Sequence, residues 1–256
     1  MRYPDAPFLE LGFQFHNLSG REAIERLAKY ILEGETTKPV SAEILKSYSG
    51  VLLGSDRDLP RITQKLRSSA ELLRLVSDPE SLVTKIVVEG ATQLVRDASE
   101  IITMLPIESD EPNDCGNSVA ICLEGAWLSF SHGDAPIPTK IQKMGAKVRT
   151  IFVDFVRRLK PSYASITVDY GLEAPCDLRK DPRTHAFRDF FLSSVWYDAL
   201  MQDIRRKFPT IYFDQLPTGQ FITTSQLFSG VSTIPNPKAF DPYSLSEYVG
   251  RRIATM

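Results

Sequence analysis

The stretch Ile211-Tyr212-Phe213-Asp214-Gln215-Leu216-Pro217-Thr218-Gly219-Gln220-Phe221-Ile222-Thr223 decides the fold. Two short runs rich in aromatic and β-branched residues flank Leu216-Pro217-Thr218-Gly219. Turn residues between such runs predict a β-hairpin. Working back toward the N-terminus, Trp196 to Lys207 predicts a helix with Trp196, Leu200 and Ile204 on one face. Phe187 to Val195 reads as a strand, and Ala164 to Leu172 has β-type composition. Before them, Val148, Ile151, Phe152, Phe155, Val156 and Leu159 recur with helical period. Lys147, Arg149, Arg157 and Arg158 mark the wet face of that helix, and Pro161 ends it. Ser244 to Ile253 closes the chain as a short helix. Strands joined by short connections, with amphipathic helices between them, predict an α+β fold: an antiparallel sheet packed with amphipathic helices.

The first half reads differently. Phe8-Leu9-Glu10-Leu11-Gly12-Phe13-Gln14-Phe15 alternates and is a predicted strand. Ser19 is placed to cap a helix whose apolar stripe is Ile24, Leu27, Ala28 and Ile31, with Gly34 at its end. Val40 to Gly54 fits neither period. Ile62, Leu66, Ala70, Leu73 and Val76 predict one helix, broken at Asp78-Pro79. Leu94, Ala98, Ile101 and Leu105 predict another, stopped by Pro106; Leu82 to Val88 is either its first turns or a separate strand. Ser118 to Ser131 reads as a strand or a hairpin bent at Gly125. The acidic, turn-rich segment 106–118 is the best boundary. It divides the chain into an α-rich half with one leading strand, 1–112, and an α+β half, 113–256, or else connects one continuous domain.

Bulk properties narrow the function. With 43% hydrophobic and 24% charged residues the chain has a globular profile. No segment approaches the roughly 18 consecutive apolar residues of a membrane span. The start, Met1-Arg2-Tyr3-Pro4-Asp5, lacks the apolar stretch of a signal peptide, so a cytoplasmic location is expected. Cys115, Cys122 and Cys176 are odd in number and widely spaced, which predicts three thiols in a reducing compartment. Residues 1–130 hold 13 Lys/Arg against 20 Asp/Glu, about −7, and residues 131–256 hold 17 against 12, about +5. Such a split signals either a charged partner or mutual attraction of the halves.

Assembled chemistry is missing from the sequence. His16, His132 and His185 are far apart, and no HExxH, no HxE with a later CxxC and no GxSxG occurs. Neither a metal nor any other cofactor is expected. Cys122 paired with His132 or His185 would make a nucleophile–base couple, but Cys122 sits in the apolar run Val119 to Leu123, where cysteine behaves as a small core residue. Nucleases of the restriction-endonuclease type hold Mg²⁺ with a [DE]-x-K motif, and none is present. Phosphate-binding glycine loops are also absent. Basic clusters occur at Arg157-Arg158-Leu159-Lys160, at Arg179-Lys180 with Arg183, and at Arg205-Arg206-Lys207. Two of the three fall at predicted helix C-termini, where the helix dipole favours cations. Neither nucleic acid nor membrane is therefore expected as a partner.

Ile166-Thr167-Val168-Asp169-Tyr170, Asp181-Pro182-Arg183 leading into Phe187-Arg188-Asp189-Phe190-Phe191-Leu192-Ser193-Ser194, and Phe213-Asp214-Gln215-Leu216-Pro217-Thr218-Gly219-Gln220 resemble the immunity protein 52 family of bacterial polymorphic-toxin systems. The resemblance covers mainly residues 118–230. It implies an α+β, non-enzymatic, cytoplasmic inhibitor. Its partner would be a cognate secreted toxin with a restriction-endonuclease-like nuclease domain, of the kind delivered by type VI secretion. A DNA-binding face is basic, so its inhibitor is expected to offer acidic residues: Glu108, Asp110, Glu111 and Asp114 first, then Asp56 and Asp58. Tyr48 and Trp127 are the candidate aromatic anchors. The alternatives are a small hydrolase or transferase whose pocket joins one of the histidines to a carboxylate or cysteine, and a nucleic-acid-binding protein using the positive second half.

Overall fold

A computed structural model of the chain describes residues 8–16, 18–33, 37–46, 61–90, 98–104, 117–124, 138–168, 171–224, 226–229 and 242–255. Its helices and antiparallel strands form two compact units. Residues 1–13 and 124–256 make one, and residues 14–123 the other. The N-terminal strand, which leads the chain, thus gives Phe8–Phe13 to the same unit as the C-terminal half.

The smaller unit carries α1 (Gly20–Glu33), β2 (Thr37–Lys46), β3 (Arg61–Lys65), α2 (Ser69–Ser77), β4 (Ser81–Gly90), β5 (Ala98–Met104) and β6 (Asn117–Glu124). Its strands run in the order β3-β2-β4-β5-β6, each antiparallel to its neighbour. The helical reading of Ile62–Val76 is corrected before Ser69, and that of Leu94–Leu105 over Ala98–Met104, its remaining residues lying outside the described ones. Ile62 lies in β3, opposite Ile44 of β2, and the helix begins only at Ser69. Ser68 enforces that start, because its hydroxyl accepts from the Glu71 backbone N–H. The buried pair on α2 is Leu72 and Val76, while Leu73 faces solvent. Ile101 and Ile102 lie in β5, opposite Ile121 and Ala120. Leu82 to Val88 is also strand.

Arg21 of α1 ties this unit together. Its guanidinium donates to four carbonyls where α2 ends and β4 begins: Val76 (3.1 Å), Asp78 (2.7 Å), Pro79 (3.1 Å) and Ser81 (3.0 Å). Helix ends leave carbonyls without intrahelical donors, and a planar fork with five N–H groups meets that need.

The larger unit holds β1 (Phe8–Phe15, through Phe13), α3 (Thr139–Leu159), β7 (Tyr163–Val168), α4 (Pro175–Lys180), β8 (Asp189–Ser193), α5 (Ser194–Lys207), β9 (Tyr212–Leu216), β10 (Gly219–Thr223), α6 (Gln226–Ser229) and α7 (Pro242–Ala254). Strand order is β1-β7-β8-β10-β9, with the expected β9–β10 hairpin at its end. The α+β fold with antiparallel pairing is as the sequence predicts. Residues 9–13 of β1 are buried on both faces, so the strand is central, not half-wet. Phe13 stacks on Phe152 of α3 at 5.5 Å, and Phe152 in turn meets Phe221 of β10 at 5.7 Å. Arg149 departs from its expected place on the wet face of α3. It pairs with Asp214 on β9, and its guanidinium lies 5.6 Å from the Phe221 ring centre. Among the described residues, no helix is long and apolar enough to cross a membrane.

Candidate functional site

Three buried polar side chains of the larger unit, Glu10, Tyr163 and His185, converge on one irregular segment, Gly171-Leu172-Glu173. Each of its residues gives a backbone group to a buried side chain from a different part of the unit. Glu10 of β1 accepts from the Leu172 N–H at 2.9 Å. Tyr163 of β7 donates its hydroxyl to the Glu173 carbonyl. His185, on the segment between α4 and β8, sets Nδ1 3.3 Å from the Gly171 carbonyl. Gly12 permits the approach: a Cβ there would stand 2.4 Å from Leu172 Cβ. An extended segment with no strand partner must satisfy its backbone elsewhere, and these three side chains do so.

Burial sets the electrostatics. Glu10 is 2% exposed, and desolvation raises its pKa from 4.5 to about 7. The Leu172 hydrogen bond opposes that rise, and the nearby Glu173 carboxylate adds to it. Desolvation also raises Glu173, with Asp177 contributing. His185 is pushed down to about 4 by burial, so its ring is neutral and Nδ1 carries the donated proton. Its Nε2 is buried without a hydrogen-bond partner, and the ring meets Phe187 edge-on at 4.5 Å. Tyr163 is held well above its ordinary value by burial, then by Tyr197 and the carboxylates of Glu173 and Asp177. A second buried acid, Asp189, opens β8. Desolvation raises it to about 7 against the hydrogen bond from Thr223.

Glu10, Tyr163 and His185 each hold one backbone group of the segment Gly171–Glu173, and Asp189 holds the Thr223 hydroxyl. Glu10 and Asp189 have the proton affinity of a general acid or base, but each is enclosed and spends its oxygen on the protein itself. Among the described residues, no group of three or more His, Cys, Asp or Glu side chains is placed to hold a metal.

The sequence-derived contact residues Tyr48, Asp56, Asp58, Glu108, Asp110, Glu111, Asp114 and Trp127 all lie outside the described residues, as do His132 and Cys115. His16 belongs to the smaller unit and is half-buried, its pKa lowered by desolvation. Cys122 lies in β6 and is half-buried. The expectation of three thiols is corrected at Cys176, which is disulfide-bonded. Glu10, Tyr163, Asp189 and Arg21 were not singled out from sequence. The available signal for Glu10 was the one carboxylate inside a strand that is apolar apart from it and Gln14.

No family model matches this chain, and no curated protein does. Among solved structures, the chain is similar to a protein described as a Pseudomonas aeruginosa T6SS protein, with 13% identity and a TM-score of 0.42, over 97% of this chain and 73% of that one. A likeness that slight transfers neither activity nor partner.

Proposed function

We propose that this chain is a non-enzymatic immunity protein. It binds a cognate secreted nuclease toxin of the type VI secretion kind and neutralises it by covering the active site or the DNA-binding face. The observation that carries this reading is where the family-like residues fall. Ile166 to Val168 lie on β7, Phe187 to Ser194 lead into and form β8, and Phe213 to Gln220 make the β9–β10 hairpin. These strands are neighbours in one antiparallel arrangement, so the resemblance covers one contiguous piece of structure. The inward use of Glu10, Asp189 and His185 supports a binding role over catalysis. It weakens the hydrolase alternative, whose histidine–carboxylate pocket would need those groups open to substrate.

A nuclease does its damage where nucleic acid is, which sets the cytoplasm as the place of protection. The disulfide at Cys176 pulls the other way, because disulfides persist in oxidising compartments. Co-expression with a candidate cognate secreted nuclease separates the two. Cytoplasmic co-expression is expected to restore growth and yield a complex on purification. Continued toxicity with no co-purification overturns the reading; rescue only on export of both proteins moves it to the oxidising compartment.

A further inference from the structure

The larger unit gathers the C-terminal ends of three helices. α7 lies between the others. Arg179 of α4 donates to the Ala254 carbonyl at 3.1 Å, closing the last turn of α7. Gly250 allows this contact, since a Cβ there would stand 2.2 Å from the Pro182 carbonyl oxygen. On the other side, Arg252 of α7 pairs with Asp203 of α5 at 2.9 Å, and Lys207 of α5 sits 4.2 Å from the Tyr248 ring centre. Arg205 lies over Phe213 at 5.0 Å.

The dipole accounts for some cations at each helix end. It does not account for their sum once three ends meet. Among the described residues, eight Lys/Arg, three from α4 and the turn after it, three from α5 and two from α7, outnumber five carboxylates: Glu173, Asp177, Asp181, Asp203 and Glu247. Most of the cations are open to solvent, Arg206 at 82% and Lys180 at 76% side-chain exposure. On the same face of α7 as Glu247 and Arg251, at i, i+4 and i+8, stands Tyr243, 72% exposed. Arg and Tyr are the residues that anchor protein interfaces.

We propose that this three-helix basic face is a docking surface for an acidic protein surface, with Tyr243, two turns back along α7, as an aromatic contact at its edge. The carboxylates decide the class of partner. Asp203 sits between Arg206 and Arg252, and Glu247 pairs with Arg251 at 2.7 Å. The evenly spaced phosphates of a nucleic acid would be laid against those acids, whereas a polypeptide can space its carboxylates to meet the cations and pass the acids by. Two copies meeting through this face would set cation against cation. The inference does not rest on the toxin reading.

The test uses the full chain, a fluorescent glutamate–tyrosine copolymer as probe, and single-stranded DNA of equal charge as comparator. The polymer is expected to bind at about 50 mM salt, to weaken as salt rises, and to bind more tightly than the DNA. Combined Lys180→Glu, Arg205→Glu and Arg251→Glu, one change per helix, is expected to weaken polymer binding about tenfold or more and to lower the melting temperature by only a few degrees, since each glutamate opposes a helix dipole. If that variant fails to fold, the same three positions changed to Gln carry the comparison. Tyr243→Ala is expected to weaken polymer binding without changing its salt dependence. Absence of polymer binding, binding unchanged in the charge variants, tighter binding to DNA, or concentration-dependent self-association through this face overturns the proposal.

Discussion

Replacing Glu10 with Gln removes one buried titrating group and keeps its shape and its acceptor for the Leu172 N–H. Burial holds the Glu10 carboxyl at about 7 in the fold, against 4.5 in the open chain. The folded state therefore binds this proton more tightly than the unfolded state. Between pH 4.5 and about 7 the fold holds more protons, so its stability falls as pH rises through that window and then levels. At about 1.4 kcal/mol per pH unit, the ionised fold loses about 3 kcal/mol. Glu10→Gln, neutral throughout, avoids that loss. The variant is expected to match the native chain near pH 4.5 and to exceed it by about 3 kcal/mol at pH 8. Urea denaturation followed by tryptophan fluorescence at several pH values measures the difference. Asp189 and His185 titrate in both proteins and cancel in the subtraction. A difference that stays flat with pH, or a variant less stable at pH 8, refutes the account of Glu10 as an enclosed acid.

Further expectations follow from other features of the fold. Arg21→Met leaves four carbonyls at the end of α2 without their donor and is expected to cost about 2–3 kcal/mol in chemical denaturation; a loss under about 0.5 kcal/mol contradicts the anchoring role. Lys160 closes α3 in the left-handed region at φ 53, so Lys160→Gly is expected to stabilise the chain by up to about 1 kcal/mol, read as a raised melting temperature. Cys176 is expected to resist alkylation in the unfolded chain until reductant is added, whereas Cys122 labels without it; immediate labelling of both removes the disulfide and with it the argument for an oxidising compartment.

The second half was legible because its elements announce themselves locally. Phe152, Phe155, Val156 and Leu159 form a clean helical stripe, and the β9–β10 hairpin carries its own turn residues. The first half misled because Ala98 and Ile101, which lie in β5, fall at helical spacing with Leu94 and Leu105 in the sequence. Leu94, Ala98, Ile101 and Leu105 step by three and four, yet the consecutive β-branched run Ile101-Ile102-Thr103 favours a strand. Ile62 looked like part of a core stripe and is 45% exposed, because it lies in β3 and not in a helix. The clamp around Gly171–Glu173 was hidden for a different reason. Glu10, Tyr163 and His185 are distant in sequence, and only the packing of β1, β7 and the segment before β8 brings them to one place. The disulfide at Cys176 was hidden likewise, because odd, scattered cysteines carry no spacing signal.

The central claim is that this chain silences a nuclease by binding it. The most direct measurement is DNA cleavage by the purified cognate toxin while this chain is titrated in. Cleavage that falls in proportion to added chain and stops near one chain per toxin molecule is the predicted result. Undiminished cleavage at a large excess of folded chain contradicts the account.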